Sequence, residues 1–231
     1  MARGSVIAVF GARSDVGVST LASSLAIAFL SFGLGRVALA ELDPRTPRAR
    51  GEAARTASAS RTAESAHEPP PAERVAIAGS DAALARDADD VWTFAPLHRR
   101  TPPLADAKAV NVALDAMRAR FGVIVAELEH QVNERTLAAF DAADRIVMVT
   151  QGSVPSLRGT QRVLRLCRRL NYPDEKVCVV VNCYDAPGSL PVADIASILK
   201  REVCWRVASV QSVDASGLAE KLLGETKRLE S

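Results

Sequence analysis

Ten consecutive residues near the start of the chain, Gly11-Ala12-Arg13-Ser14-Asp15-Val16-Gly17-Val18-Ser19-Thr20, have types and spacing that suit phosphate binding. A loop of small residues entering a helix through Ser-Thr wraps phosphate oxygens in backbone N–H groups at the positive end of the helix dipole. A lysine in such a loop reaches the terminal phosphates, and the hydroxyl holds magnesium. Gly11, Gly17, Ser19 and Thr20 meet these needs, but Val18 stands where the lysine belongs. Asp15 adds a carboxylate where backbone should approach an anion. A lysine–phosphate contact is a charge-assisted hydrogen bond worth about 1.5–3 kcal/mol, so losing it costs roughly tenfold to a hundredfold in affinity.

For such a loop to work it must leave a buried strand and open a helix, and the flanking sequence provides both. Residues 5–10 (Ser-Val-Ile-Ala-Val-Phe) read as a buried strand, and 21–32 as an apolar, alanine-rich helix. Further strands are expected at 36–41, 91–95, 122–127, 145–150, 176–182 and 203–207. Helices are expected at about 104–120, 155–170, 192–199 and 216–227. Near-continuous Val/Ile runs separated by helices predict an α/β fold, a doubly wound and mostly parallel sheet covered on both faces. Such sheets bind ligands beyond the carboxyl ends of their strands. Four polar residues fall at such ends: Glu41, Asp43, Glu127 and Asn182. No internal repeat is visible.

A length of 231 residues suits one large α/β domain, here read as a single domain over 1–231. It is interrupted at 45–90, a stretch rich in Arg, Ala, Ser and Pro that cannot bury enough surface to offset chain ordering, so a mobile insertion outside the sheet is expected. Hydrophobic residues make up 48%, enough for a real core. With Lys+Arg of 29 against Asp+Glu of 27, the net charge of +2 gives no global reason to expect nucleic acid. Aromatic content of 4% argues against base-stacking platforms. The four cysteines, Cys167, Cys178, Cys183 and Cys204, have no metal-ligand spacing, and buried reduced thiols in a reducing cytosol are expected. His67, His98 and His130 form no pattern with a nucleophile. No secretory h-region precedes the first strand, and no apolar run reaches the roughly 20 residues of a membrane span.

The order of these motifs resembles the ParA/MinD group of deviant P-loop ATPases. Within that group it is most similar to the CpaE/TadZ proteins of Tad (Flp) pilus assembly, whose loop often reads G-A-R-G-G-V-G-x-S-T. Gly11-Ala12-Arg13 and Val16-Gly17-Val18-Ser19-Thr20 follow that version, while Ser14 and Asp15 depart from its glycine pair. Glu41-Leu42-Asp43-Pro44 looks like the family's D-x-D-P. Residues 121–128 look like its Walker B strand, with Glu127 in place of aspartate. Residues 136–170 resemble the stretch after Walker B, and Val179-Val-Val-Asn182 the strand whose asparagine reads adenine. The resemblance covers 6–44 and 91–223.

It implies nucleotide binding by Gly11, Arg13, Gly17, Ser19, Thr20 and Asn182, with magnesium near Ser19, Glu41, Asp43 and Glu127. Arg13 matches the signature lysine that reaches across a dimer interface to the partner's nucleotide. The residues themselves leave alternatives open: Glu41, Asp43 and Glu127 as magnesium ligands or solvated carboxylates, and Asn182 as a base reader or a turn-forming cap. No catalytic residue is assigned.

Two functions compete. One is a non-hydrolysing adaptor that positions or assembles a Tad/Flp pilus or secretion machine, homodimeric, with ATP and Mg2+ bound weakly and not required. The other is a working ATPase of the DNA-partitioning or cell-division-positioning kind. Val18, Asp15 and Glu127 weigh against the second. A cytoplasmic location is expected, with attachment to the inner membrane or a polar position left open. The tail 222–231 is short and mixed in charge, a poor membrane-binding helix. Finally, Arg158, Arg162, Arg165 and Arg169 follow a 4-3-4 spacing that aligns them on one helix face. That face is either simply solvated or a site for an acidic protein, anionic lipid or nucleic acid.

Overall fold

A computed structural model describes residues 3–42, 74–76, 82–86, 91–96, 106–209 and 215–229. The strands are β1 (Ser5–Gly11), β2 (Val37–Glu41), β3 (Arg74–Ala76), β4 (Ala82–Arg86), β5 (Trp92–Pro96), β6 (Val123–Glu127), β7 (Arg145–Thr150), β8 (Val177–Asn182) and β9 (Val203–Val207). The helices are α1 (Val18–Leu30), α2 (Ala107–Arg118), α3 (Glu134–Ala142), α4 (Val154–Arg169), α5 (Val192–Leu199) and α6 (Ser216–Leu229). The sheet order is β3-β4-β5-β2-β6-β1-β7-β8-β9. All pairings from β5 through to β9 are parallel, and β3 and β4 add an antiparallel edge.

The period-2 alternation of the strands divides the core in two. Val6, Ala8 and Phe10 of β1 face a layer containing Leu114 and Met117 of α2, Phe140 of α3, Leu157 and Leu164 of α4, and Ile195 of α5. Ile7 and Val9 face the opposite layer, with Leu21, Leu25 and Phe29 of α1 and Leu218 and Leu222 of α6. Both faces of each central strand are therefore dry, which is why these strands carry apolar runs rather than an apolar/polar alternation. The expected doubly wound α/β fold is the fold found.

Three expectations need correction. The stretch 45–90 was expected to lie outside the sheet, yet 74–76 and 82–86 are strands β3 and β4, with Val75 opposite Leu84 and Leu84 opposite Phe94. Short runs holding one or two large apolar residues are too weak a periodic signal to stand out, but an existing parallel edge at β5 supplies hydrogen-bond partners for them. Residues 43–73, 77–81 and 87–90 lie outside the described residues. Helix α3 was also not anticipated. Its apolar residues are mainly alanine, and it starts on Asn133, whose side chain accepts from the Thr136 N–H at 3.0 Å. Lastly, Cys178 and Cys204 are disulfide-bonded between β8 and β9, with Cα atoms 5.4 Å apart, whereas Cys167 and Cys183 are free. Strand neighbourhood brings them together across 26 residues of sequence, which cysteine spacing does not reveal. The expectation of reduced thiols is corrected for this pair alone.

At the end of the sheet away from the loop, Arg118 of α2 is buried and joins three segments. It donates to the Gly4 carbonyl at 2.7 Å and the Ala142 carbonyl at 2.5 Å, and pairs with Asp144 at 2.9 Å. Asp144 in turn accepts the Val6 N–H at 2.7 Å, fixing the start of β1. Replacing Arg118 with alanine leaves one buried carbonyl, one part-buried carbonyl and a half-buried carboxylate without this donor. We expect a loss of about 2–4 kcal/mol in unfolding free energy, measured by urea denaturation. Arg118→Lys should recover only part of it, since an ammonium lacks the planar fork that spans three acceptors.

Candidate functional site

The loop 12–17 leaves the carboxyl end of β1 and turns into α1. Its geometry is set by two glycines. Gly17 caps α1 with φ of +93°, and a β-carbon there would stand 2.2 Å from the Asn182 side-chain nitrogen. Only glycine satisfies both conditions. A β-carbon on Gly11 would stand 2.4 Å from Val16 Cγ2 and 2.8 Å from Val18 Cγ2, so both valines close over the end of β1. Val16 is buried, and Val18 is half-buried against the apolar layer under α1. The position at which the sequence reading looks for a lysine is thus held by a packed apolar side chain.

Register assembles the other residues. In the β1–β6–β2 triplet, Glu127 lies beside Val9 on one side and Glu41 on the other. Ser19 in the first turn of α1 donates its hydroxyl to Glu127. Ser19, Glu41 and Glu127 therefore share the carboxyl edge of the sheet. Asp43 lies outside the described residues, and among those described no group of three or more His, Cys, Asp or Glu side chains is placed to hold a metal. Asn182, at the end of β8, donates from Nδ2 to the Val16 carbonyl at 2.9 Å. Its amide ties the loop to a strand two places away from β1. Arg13, Ser14, Asp15 and Thr20 are exposed. Asp15 holds φ of +62°.

Several neighbours were not anticipated. Gln151, just past β7, donates to the Asp15 carbonyl at 3.3 Å. The rule that selected Glu41, Glu127 and Asn182, a polar residue at a strand's carboxyl end, would have selected it too. Gly159 of α4 admits the loop closely: a β-carbon there would meet Ala12 Cβ at 3.1 Å. Beyond β8, Arg206 lies over the Tyr184 ring at 5.3 Å. Asp185 accepts from the Ser209 N–H at 2.6 Å and hydroxyl at 2.8 Å, bonds that hold its carboxyl below the usual range. Burial, with Asp185 adding to it, pushes the Cys183 thiol up.

The fold matches that of solved ParA- and MinD-type P-loop ATPases. A ParA family ATPase from Chlorobium tepidum TLS superposes with a TM-score of 0.64 at 16% identity, covering 99% of this chain and 91% of that one. The MinD cell division protein of Aquifex aeolicus gives 0.63 at 19%, covering 97% and 87%. Cobyrinic acid a,c-diamide synthase from Mycobacterium smegmatis, solved with an ATP analogue and magnesium, gives 0.66 at 18%, covering 97% and 96%. No protein-family model matches the chain. No curated protein matches it either.

The left-handed conformation at Asp15 yields a direct test of the loop. L-residues pay for that backbone region and glycine does not. Asp15→Gly should stabilise the protein by about 0.5–1 kcal/mol, whereas Gly17→Ala should destabilise it through both strain and the Asn182 clash. Thermal unfolding of the two variants checks both signs.

Proposed function

We propose that this protein is a ParA/MinD-shaped adaptor of the CpaE/TadZ kind, which positions or assembles a Tad/Flp pilus or secretion machine without hydrolysing ATP. The observation that carries this reading is Val18, an apolar side chain folded over Gly11 where a phosphate-contacting cation belongs. Phosphoryl transfer depends on positioning and on stabilising spreading negative charge. In the loop the one cationic side chain is Arg13, which is exposed, and Asp15 opposes it. Gly11, Gly17, Ser19 and Thr20 supply a backbone and hydroxyl cradle, so nucleotide binding on this reading is weak and dispensable.

The second reading, a working ATPase for partitioning or cell-division positioning, draws support from Ser19, Glu41 and Glu127. These share one edge in a way that suits magnesium. Calorimetry with Mg-ATP and a steady-state hydrolysis assay separate the two. We expect hydrolysis at background and weak binding. The double substitution Val18→Lys with Asp15→Gly should raise nucleotide affinity roughly tenfold to a hundredfold. Tight Mg-ATP binding by the unmodified protein would favour the ATPase.

The adaptor reading also proposes a homodimer that does not depend on nucleotide. An unpaired lysine at a closed interface would carry a desolvation cost that Val18 avoids. Among the described residues no helix is long and apolar enough to cross a membrane, and the proposed location is cytoplasmic, peripheral to the inner membrane or polar. Sedimentation velocity with and without Mg-ATP should give the same dimer mass and affinity. A monomer that dimerises only with ATP would restore the switch.

A further inference from the structure

Four of the five arginines on α4 differ from the ion-paired arginines of this protein. Arg3, Arg118, Arg135 and Arg201 each pair with a carboxylate. Arg158, Arg162, Arg165 and Arg169 are all exposed, and none of them has an ion pair or hydrogen bond among the described residues. The helix, Val-Pro-Ser-Leu-Arg-Gly-Thr-Gln-Arg-Val-Leu-Arg-Leu-Cys-Arg-Arg, contains no acidic residue. Like charges four apart, as in Arg158/Arg162 and Arg165/Arg169, work against the helix that carries them. Among the described residues the stripe therefore gains no ion pair or hydrogen bond.

Its mounting is rigid. Leu157, Val163, Leu164 and Cys167 anchor the opposite side of α4 in the core. On one flank, Gln161 donates to the Ile198 carbonyl and Arg168 to the Lys200 carbonyl, docking α4 against the end of α5. The row runs about 16 Å along the helix axis. Val154, four residues before Arg158, continues it at 53% exposure, and Ile198 lies exposed on the flank at 41%. At Gly159 the helix meets the loop that carries exposed Arg13.

We propose that this face docks an acidic, amphipathic helix of a protein partner, with carboxylates at i, i+4, i+7 and i+11 facing the arginines and apolar residues meeting Val154 and Ile198. Guanidinium groups suit bidentate carboxylate recognition, and arginine with flanking apolar surface is the composition protein interfaces favour. Duplex nucleic acid fits less well. The helix is seated on the sheet and cannot enter a groove, no aromatic side chain lies on α4, and the chain's net charge is only +2. The inference holds whether or not nucleotide binds at the loop.

The test uses the full chain and a labelled, alanine-based helical peptide of about 20 residues, long enough to be helical, bearing glutamates at i, i+4, i+7 and i+11. Anisotropy titrations should show binding that weakens with salt. It should be roughly tenfold to a hundredfold weaker for the variant R158Q/R162Q/R165Q/R169Q. The charge-reversed variant R158E/R162E/R165E/R169E should prefer the same peptide with lysines. The glutamine variant should unfold at the same temperature or higher, and the pair R162Q/R169Q gives a smaller loss of the same sign if the quadruple change misfolds. Absence of peptide binding, or binding that the substitutions leave unchanged, overturns the proposal. So does tighter, arginine-dependent binding of a short duplex DNA or of phosphatidylglycerol vesicles at equal salt.

Discussion

The carboxyl edge of this protein is organised by the register in which β6 lies between β1 and β2. Because Glu127 is level with both Val9 and Glu41, the end of β1, the start of the loop and the two carboxylates arrive at one height. A register slip of one residue would move Glu127 out of level with Glu41 and turn each side chain of β6 to the opposite face. Packing opposes that slip, since Ile124 and Ala126 are fitted to one apolar layer and Val123 and Val125 to the other, and a slip would exchange them. The core thus fixes the polar edge, and the hydroxyl of Ser19 meets Glu127 as a consequence.

Much of this was legible in the sequence because the signals were strong and local. Unbroken runs such as Val-Ile-Val-Ala before Glu127 and Val-Cys-Val-Val-Val before Asn182 mark strands buried on both faces, and a parallel sheet follows from the helices between them. The loop was legible because Gly17-Val18-Ser19-Thr20 follows a strand and opens a helix. What was not legible depended on neighbours distant in sequence. Strands β3 and β4 form against an edge that exists only once β5 has joined β2. The Cys178–Cys204 bond requires knowing that β9 lies beside β8. Asn182 looked like a base reader or a cap, and its partner proved to be a carbonyl 166 residues earlier.

The same edge bears on how the loop behaves without a ligand. In a nucleotide switch, the loop and its strand ends make contacts that differ between bound and free states, and a ligand can shift the balance only by its differential affinity. Here the chain's own groups already hold the loop: Asn182 grips the Val16 carbonyl, Gln151 the Asp15 carbonyl, and Val18 covers Gly11. Glu127 engages the hydroxyl that would face magnesium. A phosphate group arriving at this loop would find it placed beforehand, and no lysine to reward its charge. Little differential free energy is left for such a ligand to spend on a conformational change. A loop anchored by its own chain in this way accords with the adaptor proposed above, which holds partners in a fixed arrangement and does not cycle between two.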